Sequence, residues 1–340
     1  MNDPHIAAAK IKGYRGKPLT LMEVCGSHTH SIARAGIRNL LPPTVRLVSG
    51  PGCPVCLADP GYIAAAARLS GQARVMAFGD MARVVRLYYP GADITVCASP
   101  LDAVSAAAEN RGEKIVFLSV GFETTNPVCA MSVLKAREAG LDNFSLLVCN
   151  KTMPAILEHV ARQTAIDGFL LPGHVCAVTG TAFYSDFCRR SGVKGCVAGF
   201  DLPQLLGGLC MLLFGREPFY NIYSCVRPEG SPAACRAAEE VFRPCSARIA
   251  GIGEIEGAGL ALNEEFSRYD ASLIYDTGGA GAEADPACIC GQVICGRAEP
   301  RACPLFGVCC TPDTPKGPCM VSGEGTCSAY YNYCPEALCK

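Results

Sequence analysis

The sequence predicts an α/β protein with two Rossmann-like parallel α/β domains and a cysteine-rich C-terminal domain. Three observations support this class. From Thr20 onward, short apolar and β-branched runs alternate with helical patterns, as in parallel sheets that are buried on both faces. Half of the 340 residues are hydrophobic and only 18% are charged, so a sizeable core is expected. Ten of the 23 cysteines lie between Cys288 and Cys339, where hydrophobic periodicity is weak.

Nine segments have the composition of buried strands. Each is a short run of apolar residues that ends near a glycine, serine, asparagine or proline. In chain order they are TLMEVCG, VRLVSG, RVMAFG, ITVCAS, KIVFLSVGF, FSLLVCN, GFLLPGHV, GCVAGF and NIYSCV. Repetition of strand, helix and strand favours parallel sheets with right-handed crossovers.

Helices are predicted from apolar spacing and from residues that begin or end helices. Asp59 is a candidate N-terminal cap, and Gly140 is a candidate C-terminal stop. The segment 202–214 is very apolar but shorter than the ~20 residues that cross a bilayer, so it is predicted to be a core helix. The predicted helices are 31–41, 60–69, 131–139, 202–214 and a last one from about 232 to 242.

The domain boundaries follow from two changes in pattern. The run VGFETTNP at residues 120–127 resembles a loop between two halves of similar size. After Val226 the alternation stops, and one helix is followed by glycine-rich sequence and then the cysteine-rich tail. The predicted domains are residues 1–122, 123–226 and 227–340.

Charge and cysteine usage restrict the function. Thirty basic and 31 acidic residues leave a net charge of −1, which provides no field for binding nucleic acid or an anionic membrane. The first residues lack the apolar core of a secretory signal, so a cytoplasmic location is expected. A reducing compartment and an odd number of cysteines argue against a disulfide framework and favour metal or redox chemistry.

The tail carries the strongest indication of a metal. Cys290, Cys303, Cys310 and Cys327 are separated by 12, 6 and 16 residues, and paired CxxC knuckles typical of zinc are absent. A cuboidal iron-sulfur cluster accepts widely spaced thiolates, so a 4Fe-4S cluster is favoured over zinc. A tail without metal is the third alternative.

A second motif, GPGCPVC at residues 50–56, follows a strand and precedes the predicted helix that Asp59 caps. The amide N–H groups and the dipole at a helix start favour thiolate, which makes a CxxC there reactive. A reversible dithiol formed by Cys53 and Cys56 is therefore predicted. The alternative is a pair of cysteines that are simply buried.

A third motif, MEVCGSHT, places Cys25 at the end of a strand and His28 at the mouth of a helix. Sulfur with imidazole is a plausible ligand pair for iron. The same pair could act as a nucleophile with its base, and a packed cysteine beside a surface histidine is the structural alternative.

Two further loops follow strands, where open α/β sheets place their ligand sites. GFETTNP carries Glu123, Thr124 and Thr125, and LPGHV carries His174. Functional roles and structural roles, such as helix capping by the threonines, are equally compatible with these residues. The sequence contains no glycine-rich phosphate loop and no GxSxG motif, so nucleotide binding and serine hydrolysis have no support.

Taken together, MEVCGSHT, SGPGCPVC, VGFETTNP, GFLLPGHV and the tail CICGQVICG...CPLFGVCCTPDTPKGPCMVSGEGTCSAYY closely resemble the HypD family of nickel-iron hydrogenase maturation proteins. The resemblance runs from about residue 15 to residue 334. It implies two related α/β domains and a third domain with a 4Fe-4S cluster. It also implies that the protein works with HypC, and with the cyanide-supplying HypE. In that role it is the scaffold on which iron acquires two cyanides and one carbon monoxide.

The resemblance also implies roles for individual residues. Cys25 and His28 match the assembly site, Cys25 as a ligand of the transient iron, and Cys53 with Cys56 matches the redox-active dithiol. The cluster ligands carry over to Cys290, Cys303, Cys310 and Cys327, and the neighbouring Cys288, Cys309 and Cys319 are possible substitutes. Ser27 and Asn126 depart conservatively from the usual family pattern.

The expected function is therefore a maturation scaffold with redox activity, and whether the chain is itself an enzyme is left open. A stand-alone disulfide oxidoreductase is the first rival. A non-catalytic iron-sulfur protein that only docks partners is the second.

Overall fold

A computed structural model describes residues 3–278, 281 and 285–334. Cys339, the last of the predicted tail cysteines, lies outside this range. The helices are α1 Pro4–Lys12, α2 Gly26–Arg34, α3 Pro60–Leu69, α4 Gly79–Tyr88, α5 Pro100–Glu109, α6 Asn126–Glu138, α7 Met153–Gln163, α8 Gly173–Thr179, α9 Ala182–Ser191, α10 Leu202–Phe214, α11 Pro232–Val241, α12 Ala271–Ile274, α13 Cys290–Ile294, α14 Pro318–Val321 and α15 Thr326–Tyr333.

The strands are β1 Leu19–Glu23, β2 Val45–Ser49, β3 Arg74–Ala77, β4 Ile94–Val96, β5 Ile115–Ser119, β6 Phe144–Val148, β7 Gly168–Pro172, β8 Lys194–Ala198, β9 Phe219–Asn221, β10 Phe242–Ile249 and β11 Gly253–Leu262. The first eight lie in the predicted segments or begin one residue before them, whereas β9 shares only Asn221 with the predicted NIYSCV. All pairings among these nine strands are parallel. The predicted parallel α/β class is confirmed.

The chain forms two compact units. Unit 1 comprises Met1–Cys53, Ile156–Ser231 and Ala287–Lys340, and unit 2 comprises Pro54–Ala155 and Pro232–Pro286. The proposed domains 1–122, 123–226 and 227–340 stay a prediction.

Unit 1 contains a five-stranded sheet in the order β2-β1-β7-β8-β9. The apolar helix α10 covers this sheet, and Leu205, Leu206 and Leu209 are almost fully buried there with Leu21 and Leu170. Because β1 lies beside β7, the carboxyl ends of strands that are distant in sequence lie at the same edge of the sheet. The MEVCGSHT and LPGHV motifs follow those two strands.

Unit 2 contains a four-stranded sheet in the order β4-β3-β5-β6 and a separate antiparallel hairpin of β10 and β11. Phe117, Phe144, Phe266 and Tyr269 are nearly fully buried in its core. The GFETTNP loop follows β5 at the carboxyl edge of the parallel sheet.

Helix predictions succeeded where capping and apolar spacing agree. Asp59 accepts a hydrogen bond from the backbone N–H of Gly61, and α3 has the predicted bounds. The core helix α10 also has the predicted bounds. Among the described residues, no helix combines the length and apolarity needed to cross a membrane. The cytoplasmic location and the exclusion of nucleic acid stay predictions.

Candidate functional site

Cys25 lies between β1 and α2 and is the N-cap of that helix. Its backbone is extended, with φ −148° and ψ 124°. The backbone N–H groups of His28 and Ser27 point at its sulfur, which favours thiolate, but burial dominates and raises the pKa of the thiol to about 12. The negative charges of Glu324 and Glu23 act in the same direction as burial. In the metal-free protein the thiol therefore holds its proton at neutral pH.

His28 is fully buried, and its two ring nitrogens have different surroundings. Nε2 lies 3.0 Å from the carbonyl oxygen of Gly199 and 3.3 Å from that of Ala198, so Nε2 carries the proton and donates it. Nδ1 is buried and has no hydrogen-bond partner among the described residues. Burial lowers the pKa of His28 to about 4, so the ring is neutral at neutral pH and Nδ1 offers a lone pair.

The ring of Phe200 contacts the rings of both His28 and His174. The Phe200 ring centroid lies 4.8 Å from that of His28 and 4.0 Å from that of His174. His174 follows the end of β7 in α8 and is exposed, and partial burial lowers the pKa of its ring. The structure therefore brings Cys25, His28 and His174 to one edge of the unit 1 sheet.

Sequence reasoning missed Glu23, the last residue of β1. Its side chain is fully buried, and it accepts hydrogen bonds from the Thr29 hydroxyl at 2.6 Å and the Cys25 N–H at 3.4 Å. Burial raises the pKa of Glu23 to about 7, although Arg38, 3.6 Å away, opposes this shift. In the sequence, the signal that could have identified Glu23 is a single carboxylate at the end of an otherwise apolar strand.

The loop that leads into the CPVC motif touches Cys25. Gly26 N–H donates to the carbonyl oxygen of Gly52 at 3.3 Å. A Cβ atom on Gly52 would collide with the backbone of Cys25, so only glycine allows this approach. Cys53 and Cys56 are both in the disulfide form and are 7% and 1% exposed.

The C-terminal tail also contacts the start of α2. A Cβ atom on Gly26 would collide with Glu324, whose backbone carbonyl oxygen would lie 2.8 Å from it. Glu324 lies in the chain between Cys319 and Cys327. The start of α2 thus contacts both the glycine that precedes Cys53 and the loop that joins two tail cysteines.

Several tail thiols lie within hydrogen-bonding reach of one another. Thiols of Cys290 and Cys327 donate to the sulfur of Cys319, and the Cys327 backbone N–H donates to it at 3.2 Å. These donors hold the pKa of Cys319 well below its usual range. The pKa of Cys290 is raised by its contacts with Cys288 and Cys319.

The other predicted cluster ligands belong to the same module. The pKa of the Cys310 thiol is raised, mainly by burial and further by the nearby Cys288 and Cys303, while its sulfur accepts the Lys316 N–H at 3.3 Å. Cys309, a suggested substitute, is exposed. Across the part of the chain that the structure describes, no three His, Cys, Asp or Glu side chains stand in the arrangement of a metal site.

Glu123 and Thr124 belong to unit 2. Glu123 Oε1 accepts the Met153 N–H at 2.8 Å, while Oε2 is buried and has no partner among the described residues. Burial raises the pKa of Glu123 to about 7. Thr124 is exposed, and the side chain of Thr125 makes no capping hydrogen bond to α6, so the capping alternative has no support there.

The fold and the site define a class of protein: a parallel α/β protein with thiols at strand ends and in a C-terminal module. The family model described as "HypD: Hydrogenase formation hypA family" matches residues 5–334. The chain belongs to the HypD family of hydrogenase maturation factors.

Three curated relatives, each named hydrogenase maturation factor HypD, illustrate the similarity. The protein of Rhodobacter capsulatus is 38% identical over 349 residues, which cover 96% of this chain and 92% of the relative. The protein of Escherichia coli K12 is 37% identical over 340 residues, with 93% and 90% covered. The protein of Cupriavidus necator is 36% identical over 352 residues, with 96% and 93% covered.

Proposed function

We propose that this chain is a hydrogenase maturation factor that holds iron while its two cyanides and one carbon monoxide are attached. HypC is the proposed partner that shares the iron, and HypE is the proposed supplier of cyanide. The observation that carries the proposal is the position of Cys25. Its neighbours in space are Gly52, which precedes the CPVC dithiol, and the loop of Glu324, which joins two tail cysteines.

Cys25 is the proposed anchor for the iron. Its thiol is protonated in the metal-free chain because burial raises its pKa, so iron binding must release that proton. Thiolate is a soft, electron-rich ligand and suits an iron that donates density to cyanide and carbon monoxide. The amide N–H groups of Ser27 and His28 would stabilise the resulting charge.

His28 is the proposed second group at the iron. Its Nε2–H is used by the carbonyl oxygens of Ala198 and Gly199, which fixes the tautomer and the ring plane. Nδ1, which has no hydrogen-bond partner in the part of the chain that the structure describes, is left to accept a proton or to bind a metal ion.

The Cys53 and Cys56 pair is the proposed electron carrier at the site. Its disulfide takes up two electrons and two protons to give two thiols, and the reverse reaction returns them. The support for this role is that Gly52, which directly precedes Cys53, lies against the Cys25 backbone. Electrons moved here would support cyanide attachment or formation of the carbonyl ligand.

The donor set of the tail fits a 4Fe-4S cluster. Cys290 and Cys327 lie within hydrogen-bonding reach of Cys319, and soft thiolate is the ligand that such clusters use. Cys290, Cys303, Cys310 and Cys327 are the proposed ligands. Cys319, whose sulfur receives hydrogen bonds from two of its neighbours, is the strongest substitute, ahead of Cys288. When bound, such a cluster supplies single electrons.

The test is an infrared spectrum of the anaerobically purified chain with HypC, together with counts of iron and acid-labile sulfide. Cyanide and carbonyl stretching bands in the complex, with sulfide in the sample, are expected. Zinc in the sample, with no acid-labile sulfide, would overturn the proposed 4Fe-4S cluster. Thiol reductase turnover without HypC, and without such bands, would favour a disulfide oxidoreductase.

A further inference from the structure

Unit 2 holds a lysine and a cysteine in direct contact just past the end of β6, and neither residue takes part in the function proposed above. Lys151 Nζ lies 3.2 Å from Cys149 Sγ. Both side chains are buried, with 3% of Lys151 and 6% of Cys149 exposed. A buried ammonium is usually paired with a carboxylate, because an unpaired charge is poorly solvated in a protein interior.

The partner of this lysine is sulfur instead. Among the described residues, no carboxylate lies within ion-pair distance of Lys151, and Cys149 Sγ is the one acceptor that its Nζ contacts. A neighbouring cation makes a cysteine sulfur easier to oxidise. Transfer of one proton along the contact converts ammonium and sulfur anion into amine and thiol, so the nitrogen can also supply a lone pair.

Backbone hydrogen bonds fix the positions of both residues. The Cys149 N–H donates to the carbonyl oxygen of Ser119 at 2.7 Å, and the Lys151 N–H donates to that of Gly121 at 2.8 Å. The Lys151 carbonyl oxygen accepts the side-chain amide of Asn126 at 3.2 Å. The two side chains therefore start from fixed points, and close packing limits the conformations of the buried lysine stem.

We propose that Cys149 and Lys151 are a modification site at which dioxygen joins the two side chains through a nitrogen–oxygen–sulfur bridge. One oxygen atom forms the new bonds to Nζ and Sγ. The pair carries three hydrogens on nitrogen and sulfur; two of them leave with the second oxygen atom as water, and the third stays on Nζ. Nitrogen and sulfur each give up two electrons, and these four electrons reduce the dioxygen.

The geometry favours this product over other oxidation products. A direct nitrogen–sulfur bond needs a much closer approach than 3.2 Å, whereas one intervening oxygen atom spans most of the gap. Dioxygen is small and apolar, so it enters buried sites that exclude a thiol of another molecule. The rival product within unit 2 is a disulfide with Cys245, whose thiol has a pKa that burial raises and the nearby charge of Lys151 lowers.

The test compares tryptic peptides of the full chain kept without oxygen with those of the same chain exposed to air. Trypsin cleaves after a free lysine, but a bridged Nζ has lost the charge that the protease recognises. In air, the peptide 138–162 should therefore remain uncleaved at Lys151. Its mass should show one oxygen atom more and two hydrogen atoms fewer than the unmodified sequence, and excess dithiothreitol should restore cleavage.

Three variants locate the bridge. Lys151→Arg keeps the charge but removes the amine, and Cys149→Ser removes the sulfur, so neither should gain the bridged mass in air. Cys97→Ala changes a half-buried thiol of unit 2 whose sulfur contacts the Ala77 carbonyl oxygen, and it should form the bridge like the unsubstituted chain.

The unsubstituted chain decides the matter even if a variant fails to fold. Complete cleavage after Lys151 in air would overturn the proposal. So would the loss of two hydrogen atoms without a gain of oxygen, as in a disulfide or a direct nitrogen–sulfur bond, and so would oxygen on Cys149 with cleavage after Lys151 intact.

Discussion

Burial sets the protonation state of the residues at this site. Cys25 keeps its proton and His28 stays neutral because both lie where a charge is poorly solvated. The sequence indicated the residue types and their spacing, but it could not indicate these states. They depend on Gly199, Phe200 and Glu324, which are far from residue 25 in the chain and near it in space.

The two nitrogens of His28 can be tested separately. Gln at position 28 places an amide N–H near Nε2, so His28→Gln should keep the hydrogen bonds to Ala198 and Gly199 but lose the Nδ1 acceptor. His28→Asn places its amide near Nδ1 and should lose those hydrogen bonds. We expect His28→Gln to fold with a near-normal melting temperature and to hold less iron with HypC.

The matched readouts are iron content of the complex and thermal unfolding. His28→Asn should lower the melting temperature more than His28→Gln does, because a buried carbonyl pair loses its donor. Normal iron content in His28→Gln would show that Nδ1 is not part of the proposed iron site.

Glu123 provides a prediction about pH. Its pKa is about 7 in the folded chain against 4.5 unfolded, so between these values the folded chain binds more protons. Stability should therefore fall as pH rises from about 4.5 to 7 and then level off. Glu123→Gln has no carboxyl group to titrate and so lacks this loss. The free energy of unfolding of the variant minus that of the unsubstituted chain should therefore increase by roughly 2 kcal/mol from pH 5 to pH 8.

Urea unfolding at the two pH values measures this gain. Glu254→Gln, which changes an exposed carboxylate of β11 in the same unit, is the control and should show no such gain. An equal response of both variants would mean that Glu123 is not held in a protonated, poorly solvated state.

Helix boundaries were predicted best where local sequence signals agree. The helices α3 and α10 have the predicted bounds because a cap or a continuous apolar run marks them. By contrast, α2 starts at Gly26 and not at residue 31, because the polar segment GSHTH lacks apolar spacing. Likewise, α6 starts at Asn126, immediately before Pro127, and not at residue 131.

The hairpin of β10 and β11 was not predicted. Its strands are mostly exposed or half-buried, so they lack the continuous apolar run that identified the first eight parallel strands. The turn uses Gly251 and Gly253, both with positive φ, and only these glycines indicated it in the sequence.

The approach of the CPVC loop to α2 depends on one glycine. Gly52→Ala would force its Cβ against the Cys25 backbone, so the chain must shift. We expect a loss of roughly 1–3 kcal/mol in stability, together with reduced iron binding. Gly323→Ala is the matched control in unit 1, because, chain neighbours aside, its new Cβ meets no atom of the described residues within 4 Å.

Thermal unfolding and iron content of the complex with HypC report the two effects. Gly52→Ala with unchanged stability and unchanged iron content would mean that the contact between Gly52 and Cys25 does not shape the site.

Sequence patterns could not predict the order of the strands in the two sheets. Nine parallel strands were predicted, but five of them form the sheet of unit 1 and four form that of unit 2, and the unit 1 strands flank the others in sequence. Strand pairing depends on long-range packing that periodicity does not report. The motifs identified the chemistry, and the topology decided which of them share a unit.

The dithiol distinguishes a redox scaffold from a docking scaffold. Replacing both Cys53 and Cys56 by alanine should abolish maturation of a hydrogenase in a host that lacks its own HypD-family protein, while acid-labile sulfide in the purified chain stays unchanged. Cys225→Ala, at an exposed thiol, is the control and should mature the hydrogenase normally. Full maturation by the double variant would support a chain that only docks partners.

The Cys25 sulfur is proposed to hold the iron on which the diatomic ligands are assembled. Infrared spectra of the HypC complex formed by Cys25→Ala test this role, with Cys97→Ala as the control at another partly buried thiol. We expect the cyanide and carbonyl bands to disappear in Cys25→Ala and to persist in Cys97→Ala. Undiminished bands in Cys25→Ala would show that Cys25 does not hold the iron.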